Sequence, residues 1–121
     1  MVWDAARITP SSWANILEYY RYVEERNDDF RPLGHLVEHV VAQPYAGTLA
    51  GATSGTALLV APHAQADWTH DAVRIDVDLS GSIRLSPPRK GSLKPAIIAC
   101  EGPRIVGVFE TFLRKARWIA P

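Results

Sequence analysis

The chain has 121 residues, of which 47% are hydrophobic and 21% charged, with a formal net charge of zero. This length and composition are typical of one soluble globular domain and argue against nucleic acid or an anionic membrane as the main partner. The single cysteine, Cys100, excludes an internal disulfide, and the opening MVWDAARITP does not resemble a secretory signal, so we expect a cytoplasmic protein.

The first predicted element is an amphipathic helix. Thr9 is placed as its N-cap and Pro10 as its first residue. A polar run over residues 24–29 ends this helix, and Asn27 suits the left-handed conformation that often closes one. The predicted buried stripe consists of Trp13, Ile16, Leu17, Tyr20 and Val23, with Tyr19 and Tyr22 at its edges.

The second predicted helix lies between Pro32 and Pro44. Proline suits the first helical turn, and Pro44 stops the helix. Five aliphatic residues recur at helical spacing, so we expect one buried face and a helical hairpin with the first helix. These residues are Leu33, Leu36, Val37, Val40 and Val41.

The stretch after Pro44 is rich in small residues. Gly47, Gly51 and Gly55 recur every four residues, a spacing that membrane helices use for close approach. Only 17 residues separate Pro44 from Pro62, fewer than the roughly 20 that a membrane span needs. We therefore predict a turn and loop, followed by a buried strand over residues 56–61.

A β-hairpin is predicted from the alternation that begins at Val73. A three-residue loop over residues 79–81, with Gly81 in the left-handed conformation, pairs Val77 with Ile83. The same register places Ile75 opposite Leu85, and Asp76 opposite Arg84 on the solvent face.

The last predicted elements are a short strand over residues 95–100 and a helix from Ile105. A strand over residues 104–112 is the alternative to this helix, because RIVGVFETF is rich in β-branched and aromatic residues. The element order predicts one α+β domain over residues 1–121 with two layers. We expect a mostly antiparallel sheet of about four strands, with two N-terminal helices and one C-terminal helix on one face.

One catalytic pattern lies on the second helix. His35, Glu38 and His39 resemble, over five residues only, the His-x-x-Glu-His order of inverted zinc peptidases, with Glu38 as the catalytic base. A third ligand would come from Glu101 or Glu110. Both histidines lie nearly opposite the aliphatic stripe, however, so we expect them to face solvent and we predict no catalytic site and no metal here.

Two weaker candidates lie downstream. The loop over residues 62–71 contains His63, Asp67, His70 and Asp71, but their spacing matches no recurring metal site. Cys100 precedes a helix N-terminus, which could lower its thiol pKa, although a buried structural thiol is the simpler interpretation.

The function hypothesis from sequence is a small non-enzymatic protein that binds a protein partner or associates with itself, as a self-associating adaptor, an inhibitor or an immunity-type module, with no cofactor. Residues 1–60 carry a net charge of −3 and residues 61–121 carry +3, which permits one acidic and one basic face. The alternatives are the metal-dependent hydrolase and a small-molecule site between the Trp13/Tyr20 stripe and the sheet. The predicted binding surface consists of Trp13, Tyr19, Tyr22, Arg89 and Lys90.

Overall fold

The computed structural model describes residues 8–89 and 96–121, and within these ranges the chain forms three α-helices and five strands. The strands form one antiparallel sheet in the order β1-β2-β3-β4-β5. The predicted α+β fold is confirmed. The elements are α1 (Trp13–Arg26), α2 (Arg31–Val41), β1 (Ala50–Ser54), β2 (Ala57–Ala61), β3 (Val73–Val77), β4 (Ile83–Ser86), β5 (Ile98–Cys100) and α3 (Ile105–Lys115).

The main core lies between the helices and one face of the sheet. Four of the five residues in the α2 stripe are completely buried, as predicted, whereas Val41 is 41% exposed. At about 100° per residue, Val41 lies at the edge of the stripe in the last turn, where the packing ends. The sheet contributes alternate residues to the same core: Leu58, Val60, Val73, Ile75, Ile83 and Leu85.

The prediction that α1 begins at Thr9 and Pro10 is wrong. Ser12 is the N-cap, and its Oγ accepts a hydrogen bond from the backbone N–H of Asn15 at 3.1 Å. At the other end, Asn27 is extended rather than left-handed. Its side chain accepts from the Asp29 N–H, so it caps the 3-10 turn that leads into α2.

Strand β1 was not predicted, because its sequence AGATS lacks the large β-branched residues that indicate a strand. It forms because β2 pairs with it along its full length. Gly51 is needed as its second residue, since an added Cβ would lie 2.7 Å from Ile16 Cδ1 and 2.8 Å from Trp13 Cη2. The backbone N–H of Ser11 also donates to the Gly51 carbonyl at 2.8 Å, which covers the outer edge of β1.

The predicted β3–β4 hairpin is confirmed in its register. Val77 pairs with Ile83 and Asp76 pairs with Arg84. Gly81 has a φ of +86°, the left-handed conformation that the three-residue loop requires. The alternation of large apolar and charged residues therefore specified both the pairing and the turn.

A second, smaller core covers the β1–β2 side of the opposite sheet face. The predicted loop after β2 folds back there and buries Trp68 against Leu59 and Ala52. Both faces of β2 are consequently buried.

The last element is a helix, as predicted, and strand β5 before it begins only at Ile98. Pro95 of the predicted strand lies outside the described residues. The helix ends in a Schellman motif: Trp118 N–H donates to Leu113 C=O and Arg117 N–H donates to Arg114 C=O. Arg117 occupies the left-handed position, with a φ of +61°. This turn folds Trp118 back onto Phe112, with ring centroids 5.2 Å apart.

Among the described residues, no helix is both long enough and apolar enough to cross a membrane.

Candidate functional site

The three side chains of the His-x-x-Glu-His pattern do not converge. His35 is exposed, as expected, and Glu38 forms an ion pair with Arg21 of α1 at 2.8 Å. The expectation that His39 faces solvent is wrong: its side chain is 32% exposed, and its Nε2 lies 2.9 Å from Glu110 Oε2. Consecutive residues on a helix point about 100° apart, so Glu38 and His39 cannot face the same neighbour. Glu38 faces α1 and His39 faces α3.

The residues around His39 form a compact polar network. Glu110 Oε2 accepts hydrogen bonds from His39 Nε2 and, at 2.7 Å, from the Tyr45 hydroxyl. Burial raises the pKa of Glu110, but the hydrogen bonds from His39 and Tyr45 outweigh it, so this pKa lies below its ordinary value. Burial and then the bond to Glu110 raise the pKa of Tyr45. The network joins α2, the turn after it and α3.

Within the residues that the structure describes, no group of three or more His, Cys, Asp or Glu side chains is arranged to hold a metal ion. Glu110, one of the two nominated third ligands, instead binds His39 and Tyr45. Cys100 is half-buried, and burial raises the pKa of its thiol although Arg104 opposes this. This favours the structural thiol over the activated one.

The polar loop before β3 builds a local turn. His70 Nδ1 lies 3.0 Å from Asp67 Oδ2, and the backbone N–H of Thr69 donates to Asp67 Oδ1. The hydrogen bond from His70 and the one from Thr69 lower the pKa of Asp67. Asp71 closes the turn by accepting from the Asp67 N–H at 3.0 Å. The turn holds His70 at the mouth of a cleft.

This cleft, here called the His cleft, has a volume of about 510 Å³. Three separate segments line it: the loop after β2, the residues after β4, and the end of α3. Its charged and polar groups are the imidazoles of His63 and His70, the Arg89 guanidinium, the Lys115 ammonium and the Asp71 carboxylate. The aromatic rings of Phe112 and Trp118 and three prolines, Pro62, Pro87 and Pro88, also line the cleft.

A second cleft, here called the β5 cleft, continues from the first along α3. Its volume is about 660 Å³, and Pro87, Phe112 and Lys115 line both clefts. Ile98 and Val108 give it an apolar wall, and Arg104 lies near the start of α3. We call the two clefts together the basic groove.

The basic groove collects cations that form no ion pair with any described residue. Of the ten basic side chains among the described residues, five form ion pairs: Arg21, Arg26, Arg31, Arg74 and Arg114. Arg89, Arg104 and Lys115 form none within the described part of the chain, and all three line the groove. Arg117, also unpaired there, lies next to Trp118 at the groove's end. Only the unpaired Arg84 is elsewhere, on β4.

The residues of the predicted binding surface do not form one surface. Trp13 and Tyr19 of α1 are half-buried, and their polar atoms donate to the carbonyls of Leu49 and Gly55. Tyr22 is 56% exposed, with the Arg26 guanidinium 3.5 Å above its ring. Arg89 lines the His cleft, and Lys90 lies outside the described residues.

The small-molecule site predicted between the Trp13/Tyr20 stripe and the sheet is filled by protein. Tyr20 is completely buried, and its hydroxyl donates to the Thr56 carbonyl at 2.9 Å. The aromatic stripe is therefore core.

The residues that sequence reasoning missed are those of α3 and β5. Phe112 of α3 is half-buried and lines both clefts. The available signal was the run of basic residues in the last turn of α3, although such residues also suit the negative end of a helix dipole.

No protein-family model, curated protein or solved structure significantly matches this chain.

Proposed function

We propose that this chain is a non-enzymatic protein-binding module whose basic groove docks an acidic segment of a partner protein. The observation that carries the proposal is the accumulation, in that groove, of cations without an ion-pair partner among residues 8–89 and 96–121. Elsewhere on the described surface most basic side chains have an acidic partner within 4 Å. Three of the five that have none line one continuous depression.

The shape of the groove suits a polypeptide. It follows α3, whose 11 residues span about 16 Å, the length of about five residues of extended chain. Interfaces combine an apolar centre with charged groups that set orientation and rate of association. Phe112, Val108 and Ile98 supply the apolar surface, and Arg89, Arg104 and Lys115 supply the charge. The partner segment should therefore carry two or three carboxylates around one apolar side chain.

Exposed apolar residues next to β5 support the same location. Ile97 is 54% exposed and Ile98 is 40% exposed. Both lie at the β5 edge of the sheet, whereas the β1 edge is covered by the bridge from Ser11. A partner that covers this apolar strand edge would prevent unwanted pairing with strands of other molecules.

The test is selection from a random peptide library on the immobilised chain. We expect the recovered peptides to be enriched in Asp and Glu around a Leu, Ile or aromatic residue. Lys115→Glu should weaken their binding by about tenfold or more, and the loss should be larger at low salt. Arg84→Glu is the matched control, since it makes the same charge change at an unpaired arginine outside the groove. Peptides without acidic enrichment, or equal losses in both variants, would contradict the proposal.

A second candidate rests on the size of the His cleft. A volume of about 510 Å³ lies within the roughly 300–1,000 Å³ range of small-molecule sites. Phe112 and Trp118 beside Arg89 and Lys115 would suit an aromatic anion. Calorimetric titration with phenyl phosphate, compared with inorganic phosphate and with the Lys115→Glu variant, tests this candidate. Binding that needs both the ring and Lys115 supports it, and absence of binding removes it.

A further inference from the structure

We infer that the His cleft receives the β3–β4 hairpin tip of a second copy of this chain, so that copies associate head to tail. This inference rests on the proposed function, because it names the acidic segment that the groove binds. The tip is the stretch over residues 78–82.

The tip presents an apolar side chain without cover. Leu79 is fully exposed, at 107% of its reference area, and is the most exposed large hydrophobic residue that the structure describes. The turn around it is ordered by Asp78, whose Oδ1 accepts from the backbone N–H groups of Ser80 and Ser82. A turn that is held in one conformation loses little entropy when a partner binds it.

The tip is also acidic. Asp78 lies next to Leu79, and Asp29 lies against the tip, with its Oδ1 3.5 Å from the position of a Cβ built on Gly81. Neither carboxylate forms an ion pair within the described residues, whereas the neighbouring Asp28 is paired with Arg31. A leucine beside one carboxylate, with a second carboxylate against the same turn, has the chemistry that the basic groove requires.

The tip cannot reach the His cleft of its own copy. β3 leads from Asp71, at the cleft, to the tip, and β4 returns from the tip toward Pro87, which lines the cleft. The tip and the cleft therefore lie at opposite ends of these strands, about 16 Å apart for a strand of five residues. A contact between them has to join two copies.

The two surfaces are complementary in charge and in polarity. Leu79 would pack on Phe112 and Trp118, whose rings already contact each other edge to face. The carboxylates of Asp78 and Asp29 would lie near Arg89 and Lys115. Because the formal net charge of the whole chain is zero, copies have little overall repulsion to overcome. Such a contact uses different surfaces on the two copies, so it extends into a chain of copies or closes into a ring.

Sedimentation velocity with complementary variants tests this inference. Leu79→Glu removes the apolar tip and leaves the cleft intact, and Lys115→Glu alters the cleft and leaves the tip intact. We expect the wild-type sedimentation coefficient to rise with concentration at about 50 mM salt, and to fall toward the monomer value at about 0.5 M. Each variant alone should stay monomeric. An equimolar mixture should form dimers and nothing larger, since only one productive contact remains between the two variants.

The control is Arg84→Glu, which adds negative charge near Asp78 and leaves Leu79 and the cleft unchanged, so it should associate at least as strongly as the wild type. Both altered side chains are exposed, and circular dichroism of each variant verifies that it is folded. A wild-type chain that stays monomeric at all attainable concentrations would overturn the inference, as would a mixture that stays monomeric while the wild type associates. If the chain is monomeric but the groove still selects acidic peptides in a Lys115-dependent way, the inference is wrong and the proposed function stands. If the groove selects none, the proposed function is wrong as well.

Discussion

Glu110 binds two side chains that lie far from it in sequence. It accepts from Tyr45, in the turn after α2, and from His39, near the end of α2. Its side chain is only 18% exposed, so water cannot fully replace those partners. We assign this network to holding α2 against α3, and thus to placing the α3 wall of the basic groove.

The first prediction concerns the charge of Glu110. Glu110→Gln should lower the free energy of unfolding at pH 7 by about 1–2 kcal/mol, because hydrogen bonds to a charged acceptor become bonds to a neutral one. The folded-state pKa of Glu110 is lowered, so its charged form stabilises the fold above the ordinary value of 4.5, and this contribution is lost as pH falls through the lowered value. The difference from the wild type should therefore shrink as pH falls from 7 to about 3. Urea unfolding at both pH values measures it.

The control for Glu110 is Glu18→Gln, which removes one exposed carboxylate. It should change the free energy of unfolding by less than about 0.5 kcal/mol at pH 7. A cost for Glu110→Gln that is the same at pH 7 and at pH 3 would contradict the assignment.

The second prediction concerns close packing at Gly51. Gly51→Ala should lower the free energy of unfolding by about 1–3 kcal/mol, because its Cβ would overlap Ile16 and the Trp13 ring. Gly47→Ala is the matched control: an added Cβ there meets nothing within 4 Å, so the change should stay within about 1 kcal/mol of zero. Thermal unfolding of both variants measures the difference, and equal effects would show that the contact over Gly51 is not tight.

At the scale of elements, the C-terminus of α3 depends on a strained residue. Arg117 adopts a left-handed conformation that costs a residue with a Cβ about 1 kcal/mol. Arg117→Gly should therefore raise the free energy of unfolding by up to about 1 kcal/mol, with the glycine entropy in the unfolded chain offsetting part of the gain. Arg117→Ala keeps the Cβ and removes the charge, so it should leave stability nearly unchanged. Urea unfolding separates the two effects, and equal stabilities of the Gly and Ala variants would contradict the account.

The elements that could be predicted from sequence are those in which large apolar side chains recur at the regular spacing of a helix or a strand. The β3–β4 register follows from the alternation from Val73 to Leu85. Strand β1 could not be predicted, because AGATS forms a strand only through its pairing with β2 and through the close approach of Trp13 and Ile16 to Gly51. Its existence is a tertiary effect.

The candidate site was less predictable than the fold. The periodicity of α2 showed that His35 lies away from the core, but it did not show which neighbour would face His39. That depends on where α3 packs, and no local pattern encodes it. The basic groove likewise combines residues from three segments, and only Arg89 among its cations was named from sequence as a binding residue.

At the scale of the whole molecule, part of the excess positive charge of residues 61–121 lies on one surface, the basic groove. Gly107 provides a test of that surface that does not change its charge. It lines the β5 cleft in the first turn of α3, and an added Cβ there meets nothing within 4 Å. Gly107→Leu should keep or raise the stability of α3, because leucine is the better helix former, and should weaken peptide binding by filling the cleft. Fluorescence anisotropy of a labelled selected peptide measures the loss, and unchanged binding would place the peptide elsewhere.

The most direct test of the basic groove as the docking surface is amide chemical-shift mapping of the isotope-labelled chain with the strongest acidic peptide from the selection. The account predicts that the largest shifts fall on α3, on Ile98 and on the segments around His70 and Arg89. Shifts concentrated instead on α1, or on β3 and β4 around Arg74 and Arg84, would contradict it.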